Sequence, residues 1–332
     1  MADALTRDAA QALAPPRGDD ARRERFWRAL CERAVLIFAL ICMVFVLISP
    51  QDRHLIPVRL AFCLCPTAVI ALAAALQSRF PSSWLLWALR YCACLIFLPF
   101  FFRLTGQIAP FFPLGHFDDS IMALDRLLLG DPHASLRFQE AWPHPLIGEL
   151  MCLSYFAYYL FVPVYAVHLI VTRLKQHAGP SADVAWYTAC CALAYMLHYL
   201  AFFLFPVEGP AFHLAGGVAR DPGYAMSALH HLVVSNGDVP GGGFPSSHVS
   251  IALLHVFIAA RFGWRRLCVA AAAATAAICA ATVYTQAHYA ADALGGLASG
   301  ALVWLLLTGI ENARRRDAWR TGTLRRAPEQ GG

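Results

Sequence analysis

Two short stretches hold the residues best suited to chemistry. Gly241-Gly242-Gly243-Phe244-Pro245-Ser246-Ser247-His248 runs from a glycine-rich loop into an apolar segment. The glycines permit close backbone approach, and Pro245 and Ser246 suit a helix start. The first amides of a helix lack internal partners and lie at its positive end. That makes this start an anion site, with Gly243, Ser246 and Ser247 around it and His248 in the first turn. A capped span with an interfacial histidine would give the same pattern. The second stretch is Tyr284-Thr285-Gln286-Ala287-His288-Tyr289-Ala290-Ala291-Asp292. His288 and Asp292 stand one helical turn apart and share a face. A carboxylate on one ring nitrogen fixes the tautomer and leaves the other nitrogen nucleophilic. Asp292 also lies about one turn inside an apolar span, where a carboxylate is costly and tends to be functional. A polar contact that merely orients helices is the alternative.

One helix down and one helix up separate the two stretches, so the chain returns to the same face and the histidines can converge on one anion. Two histidines with an aspartate partner suit phosphoryl transfer through a phosphohistidine. His288 attacks phosphorus; His248 protonates the leaving alcohol and then deprotonates the incoming water or hydroxyl. The scheme calls for no metal and no cofactor.

The elements that must position these residues are membrane helices. Of 332 residues, 59% are hydrophobic and only 14% charged, too few charges for a soluble surface of this size and too apolar for disorder. A membrane helix needs roughly 20 apolar residues. Eight spans are expected, near 34–49, 57–76, 83–102, 146–172, 184–206, 247–261, 266–285 and 289–310. The first and sixth are short. The basic clusters at 22–33, Arg79, Arg173 and Lys175, Arg261 to Arg266, and Arg314 to Arg316 then all fall on one side. That side is expected to be cytoplasmic, with both termini there and segments 103–145 and 207–246 outside. The net charge of +5 thereby becomes an orientation signal, with no nucleic-acid partner implied. The outer side carries the acidic excess. None of the eleven cysteines lies in the outer segments, and buried thiols are the expected reading for them.

The domain expectation is a mobile tail at 1–25, two membrane helices at 26–82, a membrane-embedded core at 83–310 and a second tail at 311–332. Within segment 103–145, a short amphipathic helix starts at Asp118-Asp119-Ser120, carries Ile121, Leu124, Leu127 and Leu128 on one face, and stops at Gly130; another starts at Ser135. They read as interfacial helices shaping lipid access, or as a simple cover. Segment 207–246 reads as a long loop. Gly296-x-x-x-Gly300 suits close helix packing. His255, His168 and His198 read as buried polar contacts, and Glu149 and Glu208 as solvated interfacial residues.

At the two chemical stretches the sequence resembles the type-2 phosphatidic acid phosphatase superfamily. Its second motif, Pro-Ser-Gly-His, stands here as Pro245-Ser246-Ser247-His248. In its third motif, His288 and Asp292 match, while the Ser-Arg pair is replaced by Ala281 and Thr282. The form of both motifs, with Asp125 to Gly130 and Phe205 to Pro210, is similar to the inositol phosphorylceramide synthase branch. The resemblance implies an all-α polytopic membrane bundle with a six-helix phosphatase-type core. It implies catalytic His288, His248 and Asp292, and a lipid phosphate or phosphodiester substrate among membrane lipids. It further implies an outward-facing site in a cell membrane such as a bacterial inner membrane. The family's first motif, which supplies phosphate-binding Lys and Arg, is missing. Arg220, Arg103 and Arg90 are the candidate replacements. A transporter or scaffold with a decayed site is the competing expectation.

Overall fold

The computed structural model describes residues 18–48, 53–81, 83–108, 115–175, 182–214 and 222–320. Arg220, the ends of both tails and Gly216-Gly217 lie outside them. The described chain is helical, with one isolated bridge between Val207 and Gly242. In order the helices are α1 (Gly18–Ile48), α2 (Ile56–Arg79), α3 (Trp84–Ile96), α4 (Leu98–Ile108), α5 (Asp118–Leu129), α6 (Ala134–Ala141) and α7 (Pro145–Lys175). They continue with α8 (Ala182–Leu204), α9 (Pro210–His213), α10 (Ala225–Gly237), α11 (Ser247–Arg261), α12 (Arg265–Tyr284) and α13 (Ala290–Arg320). Among the described residues, seven stretches are long and apolar enough to cross a membrane, α3 and α4 together forming one. Helix α11, at 15 residues, is the short one. The protein is a polytopic helical membrane bundle.

Its axis is α8. Two thirds (67%) of its apolar window is buried, against 22–33% in the other spans. Helix α1 packs along α8, and Phe38 of α1 meets Phe101 of α4 edge-on at 5.2 Å and stacks on Phe203 of α8 at 6.1 Å. On the other flank α11 packs between α12 and α13. Outside, Leu40, Leu72, Leu153, Val167, Leu302 and Leu305 are exposed, an apolar surface suited to lipid.

Charges gather at one end of the bundle. Buried Glu311 faces Arg23 at 3.1 Å, Arg315 at 3.3 Å, Arg314 at 3.7 Å and Arg261 at 3.9 Å, and it accepts the Trp27 indole N–H at 2.8 Å. Arg23 also pairs with Asp183 at 2.8 Å, and Arg173 pairs with the same carboxylate. Residues 18–25 and 311–320, read from polarity as tails, are therefore helix, because their charges neutralise one another across the chain. A second correction concerns segment 207–246, which contains α10. The Glu149 carboxylate, half-buried, accepts the amides of Met226 at 3.0 Å and Ser227 at 3.1 Å, capping α10 from another helix, a role beyond its expected interfacial solvation.

At Gly296 a Cβ would come within 2.6 Å of the Ser246 carbonyl oxygen and 2.8 Å of Val249 Cβ, and at Gly300 within 2.8 Å of the Ser250 oxygen. The small-residue pair thus lets α13 lie directly on α11, as expected. Gly296→Ala should lower the melting temperature by the equivalent of about 1–3 kcal/mol. Gly309→Ala, in the same helix with open space around it, should be neutral or mildly stabilising. Thermal unfolding of the two variants tests this packing.

Candidate active site

Two helix starts meet at the end of the bundle opposite the charged cluster. Ser246 caps α11: its hydroxyl accepts the Val249 amide at 3.5 Å, and its own N–H donates to the Asp292 carbonyl at 3.0 Å. The turn into α13 is held equally firmly. The His288 N–H donates to Thr282 O at 3.0 Å, and Ala211 N–H donates to Gln286 O at 3.0 Å. The Gln286 side chain donates to Gln139 at 2.7 Å. Gln286 itself adopts φ 59°, uncommon for a residue with a side chain and typical of constrained sites. Gly209, at φ 88°, lies so close to Ala287 that a Cβ would sit 2.8 Å from its oxygen.

The result is that His288 Nε2 lies 3.3 Å from His248 Nδ1. Asp292 Oδ2 stands 3.6 Å behind His288 Nδ1, beyond hydrogen-bond length, and accepts the Tyr289 amide at 2.8 Å. His288 and Asp292 are buried, at 3% and 0% exposure, and His248 is half-buried. The rings of Tyr158 and Tyr155 flank His248 at 4.3 and 4.8 Å. The sequence brings all three expected catalytic residues together.

Two acids of α5 hold this arrangement, and neither was expected to. Asp118 accepts the Glu208 amide at 2.9 Å, the Gly209 amide at 3.0 Å and the Tyr289 hydroxyl at 3.0 Å. Asp125 accepts the Ala291 amide at 2.7 Å and the Ala290 amide at 3.1 Å, capping α13 from outside its own sequence. Burial pushes the Asp125 carboxyl above its ordinary value, and those two amides oppose the rise. Asp118, Ile121 and Asp125 are the buried face of α5, while Leu124, Leu127, Leu128 and Leu129 point away from the protein. Leu124, Leu127 and Leu128 thus form an exposed apolar stripe, as an interfacial helix would, while Ile121, expected on the same face, packs inward with the acids.

Two cavities meet at His248. A slot of about 10 Å³, room for one water, is lined by His288, His248, Ser247, Gly243, Glu208 and Asp238. A chamber of about 670 Å³ opens behind it, walled by Tyr155, Tyr158, Tyr159, Tyr195 and Tyr199 and reached by Ser247, His248, Asp238 and Arg103. Among the expected binding residues, Ser247 faces both cavities. Gly243 borders the slot, but its amide donates to Val207 O at 2.8 Å, and the Ser246 amide and hydroxyl are engaged as above. Both hold the loop more than they offer donors. Arg90 is removed from the site: it pairs with Glu32 and donates to Gln77 at 2.8 Å, near the charged end. Arg103 reaches the chamber and donates to the Asp238 carbonyl at 3.3 Å. His255 and His198 are buried polar contacts, to Tyr187 at 3.0 Å and Ser299 at 3.1 Å, and His168 lies on the Trp264 ring. Glu208, expected to be solvated, faces His116 and His213 at 3.5 Å each.

Among the described residues, Asp118, Glu208 and His213 bring ligand atoms within 4.8 Å of one another, the grouping best placed to hold a metal ion. Both Asp118 oxygens already accept hydrogen bonds, which limits what that group offers a cation.

Asp238 escaped the sequence reading because nothing local distinguishes it from a loop acid. Burial pushes its carboxyl above its ordinary value. The Val239 amide and the charges of His288, His230 and Arg103 oppose the rise. Between the ordinary carboxylate value and this raised one, only the unfolded chain is ionised, so stability falls as pH rises through that window. Asp238→Asn should match the wild type in melting temperature at acid pH and exceed it at neutral pH. Equal stability at both pH values would contradict the shift.

Residues 119–306 match the PAP2 superfamily. No curated protein and no solved structure matches the chain at significant similarity.

Proposed function

The chain belongs to the PAP2 superfamily, and from that premise we propose that it cleaves or transfers a lipid-linked phosphate at the outer leaflet through a phosphohistidine on His288. The observation that carries the reading is the 3.3 Å approach of His288 Nε2 to His248 Nδ1, with Asp292 behind the other nitrogen of His288. With its proton on Nδ1, facing Asp292, His288 presents a lone pair at Nε2. His248 Nδ1 then carries a proton toward the same point.

The steps follow when His288 is that neutral tautomer and His248 is the imidazolium, which becomes neutral imidazole on giving up its Nδ1 proton. A phosphate settles against the first amides of α11, Ser247 and His248. His288 Nε2 attacks phosphorus; the N–P bond forms as the bond to the leaving alcohol breaks, and His248 gives its proton to that oxygen. His248, now basic, takes a proton from water or an alcohol in the slot. The oxygen attacks phosphorus, the N–P bond breaks and His288 regains its lone pair. The growing charge on His288 draws the ring toward Asp292, closing the 3.6 Å gap. Water as acceptor makes the enzyme a phosphatase. An alcohol makes it a phosphotransferase, as the inositol phosphorylceramide synthase branch would be.

The basic cluster at the far end supports an inward position for both termini and an outward site. His288→Ala should lower turnover of a lipid phosphate by about a thousandfold or more with the protein still folded in the membrane. Asp292→Asn should cost about a hundredfold or more, because the amide cannot hold the tautomer. Phosphate and lipid products, measured together over a panel of donors, check both. Retained turnover in His288→Ala would reject the mechanism.

A further inference from the structure

We propose that Asp238 selects the donor by charge, favouring a monoanionic phosphodiester over a dianionic phosphomonoester or a lipid diphosphate. The inference rests on the reading of His288 and His248 as phosphoryl-transfer residues.

Asp238 borders both cavities. The slot has room for about one water, so the bulk of any donor lies on the chamber side, past this carboxylate. The carboxylate is held in place: Oδ1 accepts the Val239 amide at 2.9 Å, and Arg103 ties the same residue's carbonyl at 3.3 Å. Its orientation is therefore built in.

The charge balance of the lining is unusual for a phosphate site. Among the described residues that line the slot there is no Arg or Lys, and two, Asp238 and Glu208, are acids. Arg103 is the one Arg or Lys among the described residues lining the chamber. The α11 start adds roughly half a positive charge. With the proton His248 brings as general acid, these groups offset the two carboxylates and leave at most about one charge to balance a phosphate. The second charge of a phosphomonoester near neutral pH would stand against the Asp238 carboxylate in a partly dry site, where like charges are costly. A phosphodiester places a neutral ester oxygen there, and a hydroxyl on its headgroup can donate to the free side of the carboxylate.

The test uses the full chain in lipid nanodiscs and two donors with identical acyl chains. One is a diacylglycerol phosphomonoester, the other a diacylglycerol phosphodiester with a glycerol headgroup, and released diacylglycerol is measured for both. The wild type should favour the diester. D238N should shift the preference toward the monoester by about tenfold or more, the size of one like-charge contact, and D238E should restore it. E208Q, at the other acid lining the slot, should shift it in the same direction and serves as a second, independent variant. A wild type that favours the monoester, or an unchanged ratio in folded D238N or E208Q, overturns the inference while leaving the histidine mechanism intact. A wild type that turns over neither donor, nor any other lipid phosphate, defeats the phosphoryl-transfer reading itself.

Discussion

One backbone hydrogen bond joins the two halves of the site. The Ser246 N–H donates to the Asp292 carbonyl at 3.0 Å and fixes the start of α11 against the first turn of α13. Everything chemical is counted from those two points. His248 is two residues past the donor and His288 four before the acceptor, so their imidazoles meet at 3.3 Å. Gly296 and Gly300 make the bond reachable by letting α13 lie against the α11 backbone. A side chain at either position would part the helices at the point where sub-ångström placement decides whether a nucleophile and a general acid share one phosphorus.

The acidic character of this end of the molecule then has a structural cause. Asp118, Asp125 and Glu149 take backbone amides at helix starts and loops. In the poorly solvated rim of a membrane protein, unsatisfied amides are expensive, and a carboxylate is a strong acceptor for them. These acids are therefore turned toward the backbone and away from the phosphate position. Asp238 and Glu208 remain at the slot, and there the negative charge bears on the choice of substrate.

Much of this was legible in the sequence because it is local or periodic. The apolar runs marked the spans, the spacing of His288 and Asp292 marked one helix face, and the Gly-Pro-Ser run marked the start of α11. What escaped depends on contacts between distant segments. Asp118 looked like a cap of its own helix and Asp125 carried no local signal, yet both bind amides of segments far along the chain. Helix α10 was hidden because its cap is Glu149 of α7. Residues 18–25 and 311–320 looked like tails because polarity alone does not reveal that Arg23 and Glu311 meet. Arg90 read equally well as a phosphate ligand or as an arginine satisfied by packing, and its partner Glu32 decides for the second.

The central claim is covalent, and a covalent measurement tests it most directly. The enzyme is mixed with a lipid donor labelled at phosphorus, quenched in alkali within milliseconds, digested and sequenced by mass spectrometry. The account predicts a phosphoramidate on His288, stable to base and lost in acid, that disappears when acceptor is added. Turnover without any labelled residue, or label on a residue other than His288, would contradict it.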